Sequence, residues 1–209
     1  MAQPVLRAVS PDVFDLAEIR LDKRQRTATF PAVVNMTNGP LEYLLVTSYG
    51  KKHESLLRTE VLPYNLHLAM LLLGVGSRTN TVSTPPPAQI KNPSAEAIPG
   101  SKIAIEVSWE AEGRTVRRSA EDLLYNQQAK ATLSQGAWVY NGSEIWDGSF
   151  LAERDGSIVS LVTDLTALMN NSGLGHDDDH IWTANPGGLP APKTPVVVTL
   201  RLAAATAAN

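Results

Sequence analysis

Residues Thr27–Tyr49 read TATFPAVVNMTNGPLEYLLVTSY, and this stretch decides the fold class. Its two halves are rich in β-branched, aromatic and large aliphatic residues, which are typical of β-strands. Asn38-Gly39-Pro40 lies between the halves and is a turn signal. Pro31 has no N–H to donate to a neighbouring strand, so it indicates a sheet edge or a bulge at that position. We therefore expect two consecutive strands of a meander here.

The second half of the chain repeats this β pattern. Ile103–Trp109 alternates between apolar and polar residues, Glu112-Gly113 is a turn signal, and Thr115–Ser119 completes a hairpin. Four more segments have the composition of strands: Trp138–Tyr140, Phe150–Ala152, Ser157–Thr163 and Pro195–Leu202. Short strands with few helices between them predict a mostly β fold, either a β-sandwich or a partly open barrel.

Helical signals are few. Pro63 suits the first turn of a helix and Gly74 suits its C-terminal end, and the residues between them are apolar on almost every side. Such a helix is expected to be enclosed by the sheet. Ser119 and Asp164 can each cap a further helical turn, so we expect one buried apolar helix and one or two short helices.

The chain has the size and composition of one globular domain. Its 209 residues are 43% hydrophobic, which is enough to bury a core. Residues 1–18 have no clear period and are expected to form an N-terminal arm, and residues 19–209 a single β-rich domain. Residues 77–100 include Pro85, Pro86 and Pro87 and predict an exposed insertion suited to partner docking, with a domain boundary as the alternative.

Composition argues against several classes of function. The net charge of −3 leaves no basic excess to neutralise phosphates, so nucleic acid is not an expected partner. The chain has no cysteine, which excludes iron–sulfur ligation and thiolate metal sites. The longest apolar run, Leu66–Val75, is about half of the ~20 residues that span a bilayer. Gly74-Val75-Gly76 follows a helix instead of a strand, so we expect no nucleotide site. A haem cofactor is not expected either.

One loop has the composition of a metal site. His176, Asp178 and His180 alternate along Gly173–His180, so in an extended segment their side chains point the same way. Imidazole nitrogens with carboxylate oxygens suit a divalent transition metal, and a metal with an open position could generate hydroxide for hydrolysis. The simpler interpretation is a hydrated acidic surface loop whose aspartates accept local backbone hydrogen bonds.

A second polar group lies at the junction before the apolar helix. His53, Glu54 and Ser55 are adjacent in sequence, and neighbouring strand residues point to opposite faces, so they do not form a catalytic triad. If His67 on the helix came close to His53, the two histidines with Glu54 would make a ligand set. The alternative role is structural, with buried polar side chains that bond to the backbone and fix the junction.

Aromatic residues offer a third possibility. The four tryptophans, together with Tyr43, Tyr49 and Tyr140, could line a carbohydrate groove, although aromatic residues in strands are more often part of the core. Trp146 and Trp182 are near turns, and we expect these two to be the exposed ones.

Six segments of this chain, in order, resemble the YdjY-domain family. They are Leu41–Thr47, Lys52–Leu57, Leu66–Gly74, Trp138–Ser143, Asp155–Asp164 and Thr194–Arg201. The resemblance runs from about Ile19 to Leu202 and implies one domain with an inserted proline-rich loop. The family is common among exported bacterial proteins and has no settled activity. The resemblance therefore implies a periplasmic or extracellular location, after removal of a signal peptide that is not present in this chain.

The sequence favours a non-enzymatic extracytoplasmic module that binds another protein or a cell-envelope component. No assembled catalytic motif is visible in the sequence, which leaves an enzymatic activity open while favouring a binding function. The alternatives are a metal-binding protein or metal-dependent hydrolase that uses the His176–His180 loop, and a carbohydrate-binding module with an aromatic groove.

Overall fold

The structure is a computed structural model that describes residues 4–75, 80–82 and 100–203. Its strands, in chain order, are β1 (Leu6–Ser10), β2 (Val13–Leu16), β3 (Ile19–Asp22), β4 (Thr27–Val34), β5 (Tyr43–Thr47), β6 (Ser55–Thr59), β7 (Asn80–Val82), β8 (Ser101–Ala111), β9 (Arg114–Ser119), β10 (Leu124–Asn126), β11 (Ala131–Thr132), β12 (Trp138–Tyr140), β13 (Glu144–Trp146), β14 (Ser149–Phe150), β15 (Ser157–Ser160), β16 (Met169–Asn171), β17 (Trp182–Ala184) and β18 (Pro195–Leu202). The helices are α1 (Pro63–Leu72) and α2 (Leu151–Asp155), and 3₁₀ turns cover Lys52–Glu54 and Ala120–Leu123.

Eight strands form a closed barrel. Their order is β4-β18-β8-β12-β16-β15-β5-β6, and β6 pairs back onto β4. The β15–β16 and β5–β6 pairs are parallel and the other pairs are antiparallel. The prediction of a mostly β fold is confirmed. The sheet closes fully because Val33 and Val34 of β4 pair with Arg58 and Leu57 of β6.

Pro31 marks the point at which β4 changes its neighbour. Residues Thr27–Thr29 pair with β3, and Val33 and Val34 pair with β6. Pro31 lies between these two ladders, so its missing N–H leaves no hydrogen bond unmade on that side. Its carbonyl accepts a hydrogen bond from Thr59 Oγ1 at 2.6 Å. The predicted irregularity is thus a junction between two partner strands.

The barrel interior is apolar because its strands alternate. In β18, Val196, Val198, Leu200 and Leu202 are buried and alternate with more accessible residues. The largest enclosed side chains belong to Trp138, Trp182, Tyr140 and Phe30.

Helix α1 covers part of the sheet next to β3 and β4. It begins at Pro63 as predicted, and Gly74 follows its end with a φ of +83°. Leu66 and Met70 are fully buried on the inner face, whereas Leu72 on the outer face is 41% exposed. Most of the helix is therefore buried, as expected for an apolar helix, and its outer face is accessible at Leu71 and Leu72.

Two smaller predictions also differ from the structure. The sequence predicts a strand over Phe150–Ala152, but α2 begins at Leu151 and ends at Asp155, and the φ of +70° at the following Gly156 suits a helix C-terminus. A short apolar run does not distinguish a strand from a buried helical turn. Asp164 caps a turn through Thr166 N, but no helix follows, since the chain enters β16 at Met169.

Outside the barrel, β1 and β2 form a hairpin that extends the sheet through β3. It includes most of the predicted N-terminal arm, and Asp15 bridges Arg7 and Arg20 across its three strands. The predicted insertion at 77–100, with Pro85, Pro86 and Pro87, lies outside the described residues except for β7 and Gly100. In the part of the chain that the structure describes, no helix has the length and hydropathy to cross a membrane.

Candidate binding rim

Two carboxylates lie side by side at the end of the barrel where β5 and β6 begin. These strands are parallel with Tyr43 opposite Ser55, so the residues before them, Glu42 and Glu54, are also neighbours. Glu42 N donates a hydrogen bond to Glu54 O at 2.9 Å. The backbone therefore fixes the spacing of the two side chains.

Lys51 lies between the two carboxylates. Its Nζ is 3.4 Å from Glu54 Oε1 and 3.9 Å from Glu42 Oε2. The two carboxyl side chains are mostly buried, whereas the Lys51 side chain is about half exposed. We call Glu42, Lys51, Glu54 and Asp179 the acidic rim, because Asp179 is a third carboxylate close enough to act on Glu42.

The charges of the acidic rim are unbalanced. Burial, followed by the neighbouring Glu54 carboxylate, raises the pKa of the Glu42 carboxyl above its ordinary value. Lys51 lowers this pKa, and Asp179 raises it further. Lys51 thus lies near two carboxylates, and its charge does not offset the repulsion of Glu42 by Glu54 and Asp179 together with the desolvation of Glu42.

His53 and Ser55 contribute differently from Glu54. The His53 side chain is 79% exposed, and its Nε2 is 3.6 Å from Glu54 Oε2. Ser55 is fully buried and its Oγ donates to Leu57 O, which fixes the start of β6. Asn35 Nδ2 donates to the carbonyls of Lys52 and Ser55 and holds the same turn. The structural role proposed for this segment therefore applies to Ser55.

His67 lies at the other end of β6. His53 precedes β6 and His67 is in α1, which follows it, and the five residues of β6 span about 13 Å. His67 Nδ1 is 2.6 Å from the Tyr140 hydroxyl, and burial lowers the pKa of the imidazole. Its ring also packs against Phe150 at 5.1 Å. The structure thus brings His53 and Glu54 together and places His67 elsewhere.

A part-buried hydrogen-bond network continues from the acidic rim. The Tyr43 hydroxyl donates to Asp164 Oδ2 at 2.9 Å, and Lys51 Nζ lies 5.1 Å from the centre of the Tyr43 ring. Burial and the Asp164 carboxylate raise the pKa of Tyr43. Asp164 N donates to Asn170 Oδ1, and Asn170 Nδ2 donates to Asn141 Oδ1.

Sequence reasoning missed Glu42, Lys51, Tyr43 and Asp164 as members of a site. None of them forms a recognisable local motif, because their proximity depends on the pairing of β5 with β6 and with β15. The available signal was the pattern of strands, which did not specify that β5 and β6 are parallel.

The three predicted metal ligands have separate partners. His176 Nδ1 is 2.9 Å from Thr163 Oγ1, and Asp178 Oδ1 accepts a hydrogen bond from His180 N. The His180 side chain is 87% exposed and lies 3.3 Å from Asp179. Among the described residues, no three His, Cys, Asp or Glu side chains are grouped closely enough to hold a metal ion. The residues as placed therefore do not fit a metal site.

The aromatic residues do not form an open groove in the described part of the chain. Trp138 and Tyr140 are fully buried, and Trp182 is 1% exposed with its Nε1 donating to Gly175 O. The expectation that Trp182 is exposed is wrong, because the turn before it folds over the indole ring. Trp146 is partly exposed.

Comparison with known proteins adds one relationship. No curated protein and no solved structure matches this chain. The model of the YdjY domain matches residues 19–201, which cover the whole barrel and both helices. This chain belongs to the YdjY-domain family.

Proposed function

We propose that this protein is a non-enzymatic binding module that acts outside the cytoplasm, and that its acidic rim binds a positively charged segment of a partner protein. The observation that carries the proposal is that Glu42 and Glu54 share Lys51 at one end of the barrel, while Asp179 adds a third negative charge that acts on Glu42. Opposite charges at a surface guide association and select partners.

The electrostatics of the rim favour a cationic ligand. Glu42 is desolvated and repelled by Glu54 and Asp179, so its charged form is held at an energetic cost. A lysine or arginine side chain from a partner would reduce that repulsion and would donate charge-assisted hydrogen bonds. This reduction of the repulsion is available only when a partner binds, because the charge of Lys51 does not fully balance the charges of the three carboxylates.

The rim is also preorganised. Leu161 N and Val162 N donate to Glu42 O at 2.8 and 3.3 Å, and Asn35 fixes the turn before Glu54. Since these contacts are made within the chain itself, little conformational entropy is lost when the rim binds a ligand.

The location outside the cytoplasm is supported by the resemblance to exported bacterial proteins of the YdjY-domain family. The proline-rich residues Pro85, Pro86 and Pro87 remain a second candidate contact, because extended proline-rich segments suit partner docking.

A binding measurement with defined peptides tests the proposal. The probe is a fluorescein-labelled peptide of alternating alanine and lysine or arginine, and the control peptide carries glutamate at the charged positions. We expect anisotropy to show saturable binding of the basic peptide alone, with an affinity that falls as salt increases.

The matched variants decide whether the rim is the binding site. Glu42→Gln/Glu54→Gln is expected to weaken binding by about tenfold. Glu18→Gln/Glu112→Gln removes the same charge from two exposed turns and is expected to change the affinity by less than about twofold. Equal losses in both double variants, or no binding of the basic peptide, would overturn the proposal.

A further inference from the structure

A small pocket lies on the outer face of the barrel, away from the acidic rim. It has a volume of about 210 Å³. Its walls come from β8, β18, the end of β9 and the segment around Gly136, and its polar lining includes Glu106, Ser119, Glu121, Gln135, Thr199 and Arg201. The lining thus combines two carboxylates with one guanidinium.

Glu121 is a buried carboxylate with unused hydrogen-bonding capacity. The residue is 2% exposed, and its Oε1 accepts a hydrogen bond from Gly136 N at 3.0 Å. Leu124 N donates to the Glu121 backbone carbonyl, and among the described residues Gly136 is the partner of the Glu121 carboxylate. Glu121 nevertheless forms part of the pocket wall.

A buried carboxylate that accepts a hydrogen bond from only one neutral donor is unfavourable unless a further hydrogen-bond donor binds it. Gln135 supplies a second acceptor nearby, because its Nε2 donates to Ser119 Oγ at 2.8 Å and to Asp122 Oδ1 at 3.2 Å. Both amide hydrogens are thereby engaged, and the Gln135 carbonyl oxygen is left as an acceptor. A primary ammonium group has three donors and suits this pair of oxygens.

Arg201 gives the pocket its second charge. Its Nη1 makes one long hydrogen bond, 3.4 Å, to Gln25 O, which leaves most of the donors of its guanidinium for other partners. Glu106 at the same wall is accompanied by Arg117 at 3.7 Å. The lining therefore offers an acceptor for a cation at Glu121 and donors for an anion at Arg201.

We infer that this pocket binds a small zwitterion of the free amino acid class, with its ammonium group at Glu121 and its carboxylate at Arg201. A volume of about 210 Å³ admits a molecule of this size. This site is independent of the acidic rim, so either proposal can fail without the other.

The test is a titration of the full chain, followed by ¹H–¹⁵N NMR. The probes are glycine, β-alanine and 4-aminobutanoate, and the matched half-ligands are butylamine and butanoate. We expect saturable shifts of the Gly136 amide and the Gln135 side-chain amide with at least one zwitterion. Both half-ligands are expected to bind at least about tenfold more weakly, because each meets one of the two charges.

Two variants and a control complete the test. Arg201→Gln and Glu121→Gln are each expected to weaken zwitterion binding by about tenfold or more. Arg114→Gln, at the exposed start of β9, is expected to leave it unchanged. If Glu121→Gln does not fold, Arg201→Gln decides alone. Absence of saturable shifts, equal binding of butylamine, or full binding by Arg201→Gln would overturn the inference.

Discussion

Glu42 donates its backbone N–H to the carbonyl of Glu54 at 2.9 Å, and this contact places two carboxyl side chains together at one end of the barrel. Both residues precede parallel strands, and the register of Tyr43 with Ser55 sets their alignment. The repulsion between the two carboxylates therefore follows from the topology of the sheet, and it has consequences that can be measured.

The first consequence concerns stability. Glu42→Gln is expected to raise the free energy of unfolding at pH 7 by up to about 1 kcal/mol, because it removes a desolvated charge from a partly exposed acidic cluster. The folded state raises the pKa of Glu42, so it binds a proton more readily than the unfolded state. The destabilisation by the charged Glu42 is absent below the pKa of this carboxyl in the unfolded state. It grows as pH rises through its pKa in the folded state.

Urea unfolding of both proteins at pH 7 and at about pH 4 measures this effect. The difference between the variant and the parent is expected to shrink at the lower pH. Glu18→Gln is the control, since its side chain lies in an exposed turn. A destabilised Glu42→Gln variant at pH 7 would show that the carboxylate is net stabilising.

The second prediction concerns the network behind the rim. Tyr43→Phe removes the hydrogen bond from the Tyr43 hydroxyl to Asp164 Oδ2 and is expected to cost about 1.5–3 kcal/mol, because the acceptor is charged and the site is buried. Urea unfolding measures the cost. Tyr49→Phe is the matched control, since Tyr49 is 53% exposed and donates to a backbone carbonyl, and it should cost less than half as much.

The third prediction concerns His67 and pH. Burial lowers the pKa of His67, so the unfolded chain binds a proton near the ordinary histidine pKa of about 6.5 while the folded chain does not. The contribution of His67 to stability is therefore complete above its pKa in the unfolded chain. It is lost as pH falls towards its pKa in the folded chain.

We therefore expect the free energy of unfolding to fall between about pH 7 and pH 5, and to fall less steeply in His67→Gln. His180→Gln, whose side chain is 87% exposed, is expected to keep the parent slope. Chemical unfolding at several pH values gives the slopes. Identical slopes for His67→Gln and the parent would exclude His67 as their cause.

The fourth prediction concerns metal. His176, Asp178 and His180 have separate partners, so we expect elemental analysis of the untagged protein to find no stoichiometric transition metal after incubation with zinc or manganese. A stoichiometric metal that is lost from His176→Ala/His180→Ala would contradict the placement of these side chains.

The sequence predicts the strands well and their pairing poorly. The pattern of Thr27–Tyr49 indicated two strands, and Pro31 indicated an irregularity in the first. Closure of the barrel depends on the pairing of Val33 and Val34 with β6, and no local sequence pattern predicts that pairing. A prediction of strands therefore left a β-sandwich and a partly open barrel as alternatives.

Polar residues were harder to interpret for the same reason. His53 and His67 are close in sequence but lie at opposite ends of β6, whereas Tyr43 and Asp164 are distant in sequence and share a hydrogen bond. The family resemblance identified the segments that contain Tyr43, Glu54 and Asp164. Their arrangement required the three-dimensional structure, because side-chain direction alternates along each strand.

The affinity of Lys51→Gln for the basic peptide tests the central claim most directly. Lys51 is the lysine that lies within 4.0 Å of both Glu42 and Glu54, so removing its charge makes the acidic rim more negative. The account predicts tighter binding by about threefold to tenfold at low salt, opposite in sign to the loss in Glu42→Gln/Glu54→Gln. Weaker or unchanged binding by Lys51→Gln would contradict the claim that the rim is the site for a cationic partner.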